Sequence, residues 1–515
     1  LMSVKALSCD YGNLIKEIVA VDPATVKFSM CAPDPAFPQK AAFSAFGIRS
    51  KANIEATGGG GEILEKPIGT GAYKIESWKR GDSITMVRND EYWGKKGIAQ
   101  KLVFRWSPEA AQRLLELESG TVDGIDNPGP DDFEKIKNNP DLQLIDREAL
   151  NVMFIALNNT KPPFDNVKVR QAIAMGIDRE RIVKTFYPAG SVAASHFTPC
   201  AIENACAGEE WYKFDAAKAK ALLKEAGFEN GFETKLYYRD VVRGYLPQVA
   251  QVAQDIQDQL QKNLNIKATI EVQESGTLID NAQSGRLEMY LLGWGADYPH
   301  ITNFLDYHFG KSQKMFGDSY PDIYNLLVEG AKISDTKKAE PIYAKANKAI
   351  KDLVPMVPVA HGGSGVAFRK DVKNAHASPL TNEYFGVMDP GGRDTFVWMQ
   401  NAEPISLYCN DETDGESLRA CEQVIESLLA FEPGGTKVEP ALAESCDPNA
   451  DLTEWVCKLR KGVKFHDGAE LHANDVVMSW GVAWDAANKF HKGNTGAFEY
   501  FSTLWGSLLN VPPAK

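Results

Sequence analysis

The spacing of apolar residues predicts alternating strands and helices along residues 150–293. Residues 150–158 are mainly apolar over the length of a strand, which indicates a strand buried on both faces. Apolar residues at helical spacing follow Asn166 and Asp215, whose side chains are typical of helix N-caps. The predicted strands are 150–158, 232–238, 266–272 and 287–293, and the predicted helices lie near 166–176, 215–226, 249–260 and 277–284. This alternation predicts an α/β lobe with a largely parallel sheet.

The segments on either side show strand alternation and further helices. Val26, Phe28 and Met30 share one face of a predicted strand, and residues 69–88 predict a β-hairpin that turns at 79–82. The remaining predicted elements are a helix over 108–118 with an apolar stripe of Ala111, Leu114 and Leu115, a short strand at 122–125, a turn and an aromatic strand within 388–408, and helices over 416–430 and 474–488.

The length of the chain predicts more than one lobe. Its 515 residues are too many for one ordinary core, because domains typically hold about 150 residues. We expect two or three lobes, with boundaries near residues 61, 155 and 375.

Composition and charge narrow the classes of function. Apolar residues make up 44% and charged residues 24% of the chain, which is typical of a globular protein. The 69 acidic residues outnumber the 56 basic ones and give a formal net charge of −13. This balance argues against binding to nucleic acid or to anionic lipid, and it is compatible with a cationic ligand. No apolar run approaches the roughly 18 residues that a membrane-spanning helix needs.

The cysteines indicate the redox compartment. There are eight of them: Cys9, Cys31, Cys200, Cys206, Cys409, Cys421, Cys446 and Cys457. No pair has the C-x-x-C spacing of zinc ribbons or thioredoxin-like sites, and an even number favours disulfides in an oxidising compartment. Sequence leaves the connectivity open, and we predict pairing of nearest neighbours: 9–31, 200–206, 409–421 and 446–457. The alternative is a cytosolic protein with eight free thiols.

Motifs for catalysis or cofactor binding are absent from the sequence. The run 362–365 (GGSG) lacks the G-x-S-x-G spacing of a nucleophile elbow, and no phosphate-cradling G-x-x-x-x-G-K-[ST] occurs. Gly69-Thr70-Gly71 lies inside the predicted hairpin, so it is not a dinucleotide fingerprint. The eight histidines include no H-E-x-x-H. Missing motifs alone do not exclude an enzyme, but the sequence gives no positive signal for one, and we expect no enzyme activity, no metal and no cofactor.

Four longer segments carry a family resemblance. Residues 459–480 read LRKGVKFHDGAELHANDVVMSW, and residues 63–94 contain G-T-G-x-Y and end in N-x-x-Y-W-G. The segments 163–182 (PFDNVKVRQAIAMGIDRERI) and 293–305 (GWGADYPHITNFL) are two further landmarks. Together they resemble the family 5 extracellular solute-binding proteins, the dipeptide, oligopeptide and nickel receptors of ABC importers.

The order of these landmarks departs from the family. The F-H-D-G segment precedes the G-T-G-x-Y segment in the family, whereas here it lies near the C-terminal end. Reading from about Asp394 to Lys515, and then from Leu1 to about Gly392, restores the usual order. The chain therefore resembles a circularly permuted member. Exchanging ends for a surface loop leaves a packed core unchanged when the ends are close in space.

The resemblance implies a fold and a biological role. The implied fold is the two-lobed periplasmic-binding-protein-like α/β fold (type II, cluster C) with an extra domain. In that division, 1–60 with 425–515 is the smaller extra domain, 61–155 with 375–424 the first lobe, and 156–374 the second. The implied role is capture of a peptide in an interlobe cleft by hinge closure and its delivery to a membrane permease. The implied protein is an extracytoplasmic monomer, periplasmic or at the cell surface, where relatives are often lipid-anchored.

The resemblance also implies ligand-binding residues. Asp297 matches the acidic residue that peptide-binding members use for the α-amino group of the ligand; the alternative is an exposed loop residue or a strand-end cap. Trp294 and Tyr298 beside it are expected to form the base of a pocket for a ligand side chain or to stack on a sugar ring; the alternative is that they belong to the core. The further candidates, each with a packing role as the alternative, are Tyr408, Glu412, Tyr384 and Phe385.

The ligand class stays open between several solutes. Dipeptide receptors tend to carry a basic residue before the strand that leads to Asp297, whereas Asp280 and Asn281 occupy that place and Arg286 is displaced. A longer peptide therefore fits better than a strict dipeptide. The alternatives are an oligosaccharide, a metal chelate or another small solute, and, from a different class, a secreted hydrolase or a surface structural protein on an α/β scaffold.

Overall fold

The computed structural model describes residues 1–12 and 14–513. The strands within these residues are β1 (Ser3–Lys5), β2 (Ile15–Asp22), β3 (Thr25–Met30), β4 (Tyr73–Lys79), β5 (Ser83–Arg88), β6 (Lys101–Trp106), β7 (Gly124–Asp126), β8 (Leu142–Arg147), β9 (Asn151–Leu157), β10 (Val192–Ala193), β11 (Glu233–Arg239), β12 (Lys267–Gln273), β13 (Met289–Gly295), β14 (Met356–His361), β15 (Ser364–Arg369), β16 (Thr395–Gln400), β17 (Leu429–Phe431), β18 (Val438–Pro440), β19 (Ala443–Pro448) and β20 (Glu454–Leu459). The helices are α1 (Phe37–Ala41), α2 (Lys51–Thr57), α3 (Ala110–Glu118), α4 (Phe133–Asn138), α5 (Val167–Gly176), α6 (Arg179–Phe186), α7 (Ala216–Glu225), α8 (Val249–Leu264), α9 (Ser275–Gln283), α10 (Ile301–Phe309), α11 (Pro321–Gly330), α12 (Thr336–Leu353), α13 (Gly415–Val424), α14 (Ala473–Trp484) and α15 (Glu499–Trp505).

The chain folds into two compact units. Unit 1 comprises Leu1–Arg147 and Gly365–Lys515, and unit 2 comprises Glu148–Ser364. Unit 2 is therefore continuous in sequence, whereas unit 1 is built from the two outer parts of the chain.

The core of unit 2 is a six-stranded mixed sheet in the order β10-β14-β9-β13-β11-β12. Strand β11 runs parallel to β12 and β13, but β9 is antiparallel to both β13 and β14. Every residue of β9 is buried, which confirms the prediction of a strand covered on both faces. The prediction of a largely parallel sheet is wrong for the half around β9. A strand that is apolar on both faces reads the same in either direction, so its pattern carries no information about orientation.

The helices of unit 2 follow the sequence pattern closely. The Asn166 side chain accepts a hydrogen bond from Lys168 N at 2.9 Å and caps α5, and Asp215 accepts one from Lys218 N at 2.9 Å and caps α7. The apolar residues at helical spacing on α8 are buried, namely Val249, Val252, Ala253, Ile256 and Leu260. These helices confirm the predicted strand–helix alternation in this unit.

Three sheets form within the described residues of unit 1. The largest has the order β4-β5-β6-β16-β7-β15-β8, in which β16 runs parallel to β6 and β7. A five-stranded sheet, β1-β2-β3-β20-β19, joins the first strands of the chain to the last, and β17 pairs with β18. The hairpin of β4 and β5 is confirmed, as is the burial of Val26, Phe28 and Met30 on one face of β3.

Two helices of unit 1 differ from their predictions. The stripe predicted for α3 is confirmed for Leu114, which is buried, and wrong for the other two residues, because Leu115 is 58% exposed and Ala111 also faces solvent. The buried face instead includes Arg113, whose guanidinium donates to the carbonyl oxygens of Ser107, Asp126 and Asn127. The helix predicted over 416–430 ends at Val424, and the apolar run that follows supplies β17. Short apolar runs do not distinguish a helix end from a buried strand.

The disulfides join the nearest neighbours, as predicted. The bonds are Cys9–Cys31, Cys200–Cys206, Cys409–Cys421 and Cys446–Cys457. No cysteine in the described residues is free. Within the same residues, no helix is both long enough and apolar enough to cross a membrane.

Candidate ligand-binding sites

Three candidate residues of unit 2 lie together where β13 ends. Trp294 is near the end of the strand, and Asp297 and Tyr298 follow in the turn that leads to α10. The turn is held by the backbone bond from Ala296 N to Leu150 O at 2.8 Å, and all three side chains are half-buried. This placement leaves part of each side chain accessible to a solute.

Asn303 organises this turn. Its Oδ1 accepts a bond from Trp294 Nε1 at 3.2 Å and one from the backbone N of Asp297 at 2.8 Å. Its Nδ2 donates to Asp297 Oδ2 at 3.4 Å, and the side chain is buried on α10. Asn303 was not among the predicted site residues. Its presence in the segment 293–305 was the only available signal.

Within the described residues, the partner of the Asp297 carboxylate is the Asn303 amide and not a cation. Burial raises the pKa of Asp297 above the usual range, and the hydrogen bond from Asn303 opposes the shift. Among the described residues, no lysine, arginine or histidine forms an ion pair with it. A partly desolvated carboxylate of this kind attracts an ammonium group strongly.

Trp294 and Tyr298 provide the aromatic surface beside Asp297. The Trp294 ring stacks on Tyr307 with centroids 4.2 Å apart and an interplanar angle of 21°, and it meets the edge of His308. The Tyr298 hydroxyl lies 3.2 Å from Thr302 Oγ1. One face of the indole is thus covered by protein, so a ligand is expected at the rim or at the opposite face.

Three of the predicted residues in unit 1 lie in its interior. The Tyr408 ring is buried beneath the Arg49 guanidinium, whose carbon is 4.6 Å from the ring centroid. Glu412 Oε1 accepts bonds from Ser406 Oγ and Asn494 Nδ2, and burial raises its pKa. Phe385 is fully buried and packs against other aromatic rings. Each of these side chains has protein partners that account for its position.

Tyr384, by contrast, lines a cavity of about 190 Å³ within unit 1. The aromatic side chains of its wall are Tyr92, Trp93, Tyr384 and Phe431, and the carboxylates are Glu422, Glu426, Glu432 and Glu439. Tyr92 and Trp93 belong to the N-x-x-Y-W-G landmark, which the sequence did not connect with a cavity. Nothing in the sequence singles out these glutamates among 69 acidic residues.

The two inner glutamates of this cavity differ in their partners. Glu426 accepts bonds from the Tyr92 hydroxyl, from Trp93 Nε1 at 2.8 Å and from Thr70 Oγ1 at 2.7 Å. The carboxylate of Glu422 makes no hydrogen bond or ion pair with the rest of the described chain. Burial, followed by the charge of Glu426, raises the pKa of Glu422 to about 8.

One group of side chains in unit 2 has the spacing of a metal site. His196, Cys200 and Cys206 bring their potential ligand atoms within 4.8 Å of one another. The two sulfurs are bonded to each other, however, and the thiolate is the form of cysteine that binds metal. The disulfide therefore removes two of the three ligands.

Comparison with known proteins identifies the family. The description "Bacterial extracellular solute-binding proteins, family 5 Middle" matches residues 3–316 and 437–504. The dipeptide-binding protein of Escherichia coli is 30% identical over 382 residues, which cover 72% of this chain and 71% of that protein. Heme-binding protein A of Haemophilus influenzae is 30% identical over 391 residues, which cover 74% of this chain and 71% of that protein.

Solved structures agree with the sequence comparisons. HbpA2 of Haemophilus parasuis superposes with a TM-score of 0.67 at 30% identity and covers 73% of this chain and 74% of that one. A dipeptide-binding protein of Pseudoalteromonas in complex with Met-Leu gives a TM-score of 0.50 at 27% identity. The superposition covers 71% of this chain and 74% of that one. The chain belongs to family 5 of the bacterial extracellular solute-binding proteins, a family of extracytoplasmic binding proteins, not enzymes, with a two-lobed α/β fold.

Proposed function

We propose that this protein is the substrate-binding receptor of an ABC importer and that it captures peptides for a membrane permease. Relatives at about 30% identity are a dipeptide-binding and a di/tripeptide-binding protein, and a related solved structure holds the peptide Met-Leu. The observation that carries the proposal is the half-buried Asp297 carboxylate beside Trp294, which forms no ion pair with any of the described residues.

Asp297 is proposed to bind the α-amino group of the peptide. The carboxylate is partly removed from water, and it is fixed by Asn303 at the end of β13. Truncating one partner of such a charge pair costs about 2–5 kcal/mol. Trp294 and Tyr298 would then contact the first side chains of the ligand.

For the other predicted ligand-binding residues, we propose a role from the burial and contacts of each side chain. Tyr384 is proposed to contact ligand because it lines the cavity of unit 1. Tyr408, Glu412 and Phe385 are proposed to support that region from the interior, since each is buried against protein.

A second candidate ligand class is a planar or sugar-like solute. Heme-binding protein A is similar to this chain at the same level of identity as the dipeptide-binding protein. The stack of Trp294 on Tyr307 presents an aromatic surface that suits a flat ligand as well as a peptide side chain. Binding of such a solute without peptide binding would favour this alternative.

We further propose that the chain is a circularly permuted member of the family with an extra domain. The order of the four landmarks supports the permutation. Both outer parts of the chain also pack together: Leu14 N donates to Trp505 O at 2.6 Å and Ser507 Oγ to Tyr11 O at 3.0 Å. The proposed extra domain is 1–60 with 425–515, the first lobe 61–155 with 375–424, and the second lobe 156–374. The five-stranded sheet supports this division, since its strands lie entirely within the extra domain.

The variant Asp297→Asn tests the peptide proposal. We expect its affinity for trialanine, measured by isothermal titration calorimetry, to fall at least about tenfold, or about 1.4 kcal/mol. N-acetylated trialanine, which lacks the ammonium, should bind the wild type and the variant equally weakly. Asp258→Asn removes the same charge from an exposed position of α8 and serves as the control. Unchanged affinity in Asp297→Asn would remove this residue from the site.

A further inference from the structure

The loop between β11 and α8 packs between two glycines of unit 2. Gly362, which directly follows β14, lies against the backbone of Gly244 in this loop. Gly293 of β13 lies against the ring of Tyr245, the next residue of the loop. A β-carbon at either glycine would overlap atoms of the loop, so the loop can approach both positions only because they lack a side chain. The Tyr245 ring therefore contacts β13 at the residue that precedes Trp294.

Hydrogen bonds hold Tyr245 through its side chain and its backbone. Its hydroxyl accepts a bond from Arg239 Nη2 at 3.0 Å, and Arg239 Nη1 donates to Ser275 Oγ at 2.9 Å. Its backbone carbonyl accepts a bond from the Tyr187 hydroxyl at 2.6 Å. The residue is only 8% exposed. The position of the ring is therefore set by contacts with its neighbours in the fold.

The ring contacts a part of β13 that has strand pairing on one side. The pairing of β13 with β9 continues to Gly295. Within the described residues, the pairing of β13 with β11 is at Tyr290, three residues before Gly293. Beyond that point the Tyr245 ring packs against the strand. The ring is thus placed to fix the backbone that leads to the candidate ligand-binding residues.

The surroundings of Tyr245 indicate a supporting role and not a contact with ligand. The ring is buried, and both its hydroxyl and its carbonyl already accept bonds from protein. Binding sites are sensitive to such support, since a displacement of about 1 Å in the residues that form a site is enough to weaken it. The bond from Trp294 Nε1 to Asn303 Oδ1, 3.2 Å long, would report such a displacement.

We propose that Tyr245 is a positioning residue for the candidate site of unit 2. Its ring, packed against Gly293, sets the path of β13 and therefore the positions of Trp294 and Asp297. The proposal rests on the proposed function for one consequence, namely that loss of the ring weakens peptide binding. The effect on Trp294 itself does not depend on the identity of the ligand.

Three variants of unit 2 test the effect on binding. Tyr245→Leu removes the ring and keeps a buried apolar side chain, Tyr245→Phe keeps the ring, and Leu223→Ala opens a cavity on the buried face of α7. We expect the affinity for trialanine, measured by isothermal titration calorimetry, to fall at least about tenfold in Tyr245→Leu and to change less than about twofold in the other two. Unchanged affinity in Tyr245→Leu would overturn the positioning role.

A second measurement, on the ligand-free protein, separates this proposal from the peptide proposal. The exchange of the Trp294 indole N–H with water is followed by nuclear magnetic resonance, and the signal is identified by its absence from Trp294→Phe. We expect exchange to be several-fold faster in Tyr245→Leu than in the wild type and unchanged in Tyr245→Phe and Leu223→Ala. Tyr245→Met carries the same test if the leucine variant does not fold.

The outcomes of the two measurements are distinct. If the wild type binds no peptide, the peptide proposal is overturned, and the exchange rates alone decide the positioning role. An exchange rate that is unchanged in Tyr245→Leu, or that rises as much in Leu223→Ala, would overturn the positioning role whatever the ligand is.

Discussion

A single amide determines the geometry of the candidate site in unit 2. Asn303 contacts both Trp294 and Asp297, because its amide accepts two hydrogen bonds through Oδ1 and donates one through Nδ2. Asp297 and Trp294 could be predicted because they match a family landmark. Asn303 could not, because its role depends on how the first turn of α10 packs against the end of β13.

Glu422 predicts a pH dependence of stability at the residue scale. Its pKa rises from an ordinary value of 4.5 to about 8 in the folded protein. The folded state therefore holds a proton that the unfolded chain releases, so this residue lowers stability as the pH rises from about 4.5 to 8. Glu422→Gln should match the wild type near pH 4 and exceed its free energy of unfolding near pH 9, by at most about 1.4 kcal/mol for each unit of the shift and by less to the extent that solvent screens the charge.

Urea denaturation at a series of pH values measures this difference. Glu444→Gln, which changes an exposed glutamate, should follow the wild type throughout. A difference between wild type and Glu422→Gln that stays constant from pH 4 to pH 9 would show that Glu422 does not titrate in this range.

Some features of a helix or strand depend only on neighbouring residues in the sequence, and helix caps are an example. The caps Asn166 and Asp215 were predictable because each side chain accepts a hydrogen bond from a backbone N–H no more than three residues later in the sequence. The orientation of β9 and the buried face of α3 were not predictable, because both depend on partners distant in sequence. Arg113 is buried on α3 only because carbonyl oxygens around β7 accept its hydrogen bonds.

The cap of α7 gives a prediction at the element scale. Asp215→Ala removes the acceptor for Lys218 N and should lower the free energy of unfolding by about 1 kcal/mol. Asp215→Asn retains an acceptor, so urea denaturation should place it within a few tenths of a kcal/mol of the wild type. If the free energy of unfolding falls as much in the asparagine variant as in the alanine variant, the charge of Asp215 rather than its capping hydrogen bond stabilises the helix.

At the scale of the whole molecule, segments that lie far apart in the sequence pack side by side, so their packing does not depend on their order along the chain. Strand β3 pairs with β20 across more than four hundred residues, and β16 pairs with β6 and β7, which both come from the first part of the chain. The exposed turn at Gly391 and Gly392, with φ of 72° and 85°, precedes β16. This turn is where the family order would begin, and opening it breaks no strand pairing.

Rejoining the chain tests the proposed permutation. A variant whose ends are joined by a flexible glycine–serine linker, and which is opened between Gly391 and Gly392, should keep the peptide affinity and the thermal unfolding midpoint of the wild type. The matched control is opened inside β16, between Val397 and Trp398, and should not fold. Equal loss of folding in both variants would contradict the proposal.

Native mass spectrometry of the protein purified from its own cells tests the central claim most directly. We predict that one short peptide accompanies each chain, that tandem fragmentation reads it as amino acids, and that the peptide stays intact on prolonged incubation. A co-purified solute that is not a peptide, or cleavage of added peptides by the protein, would contradict the account.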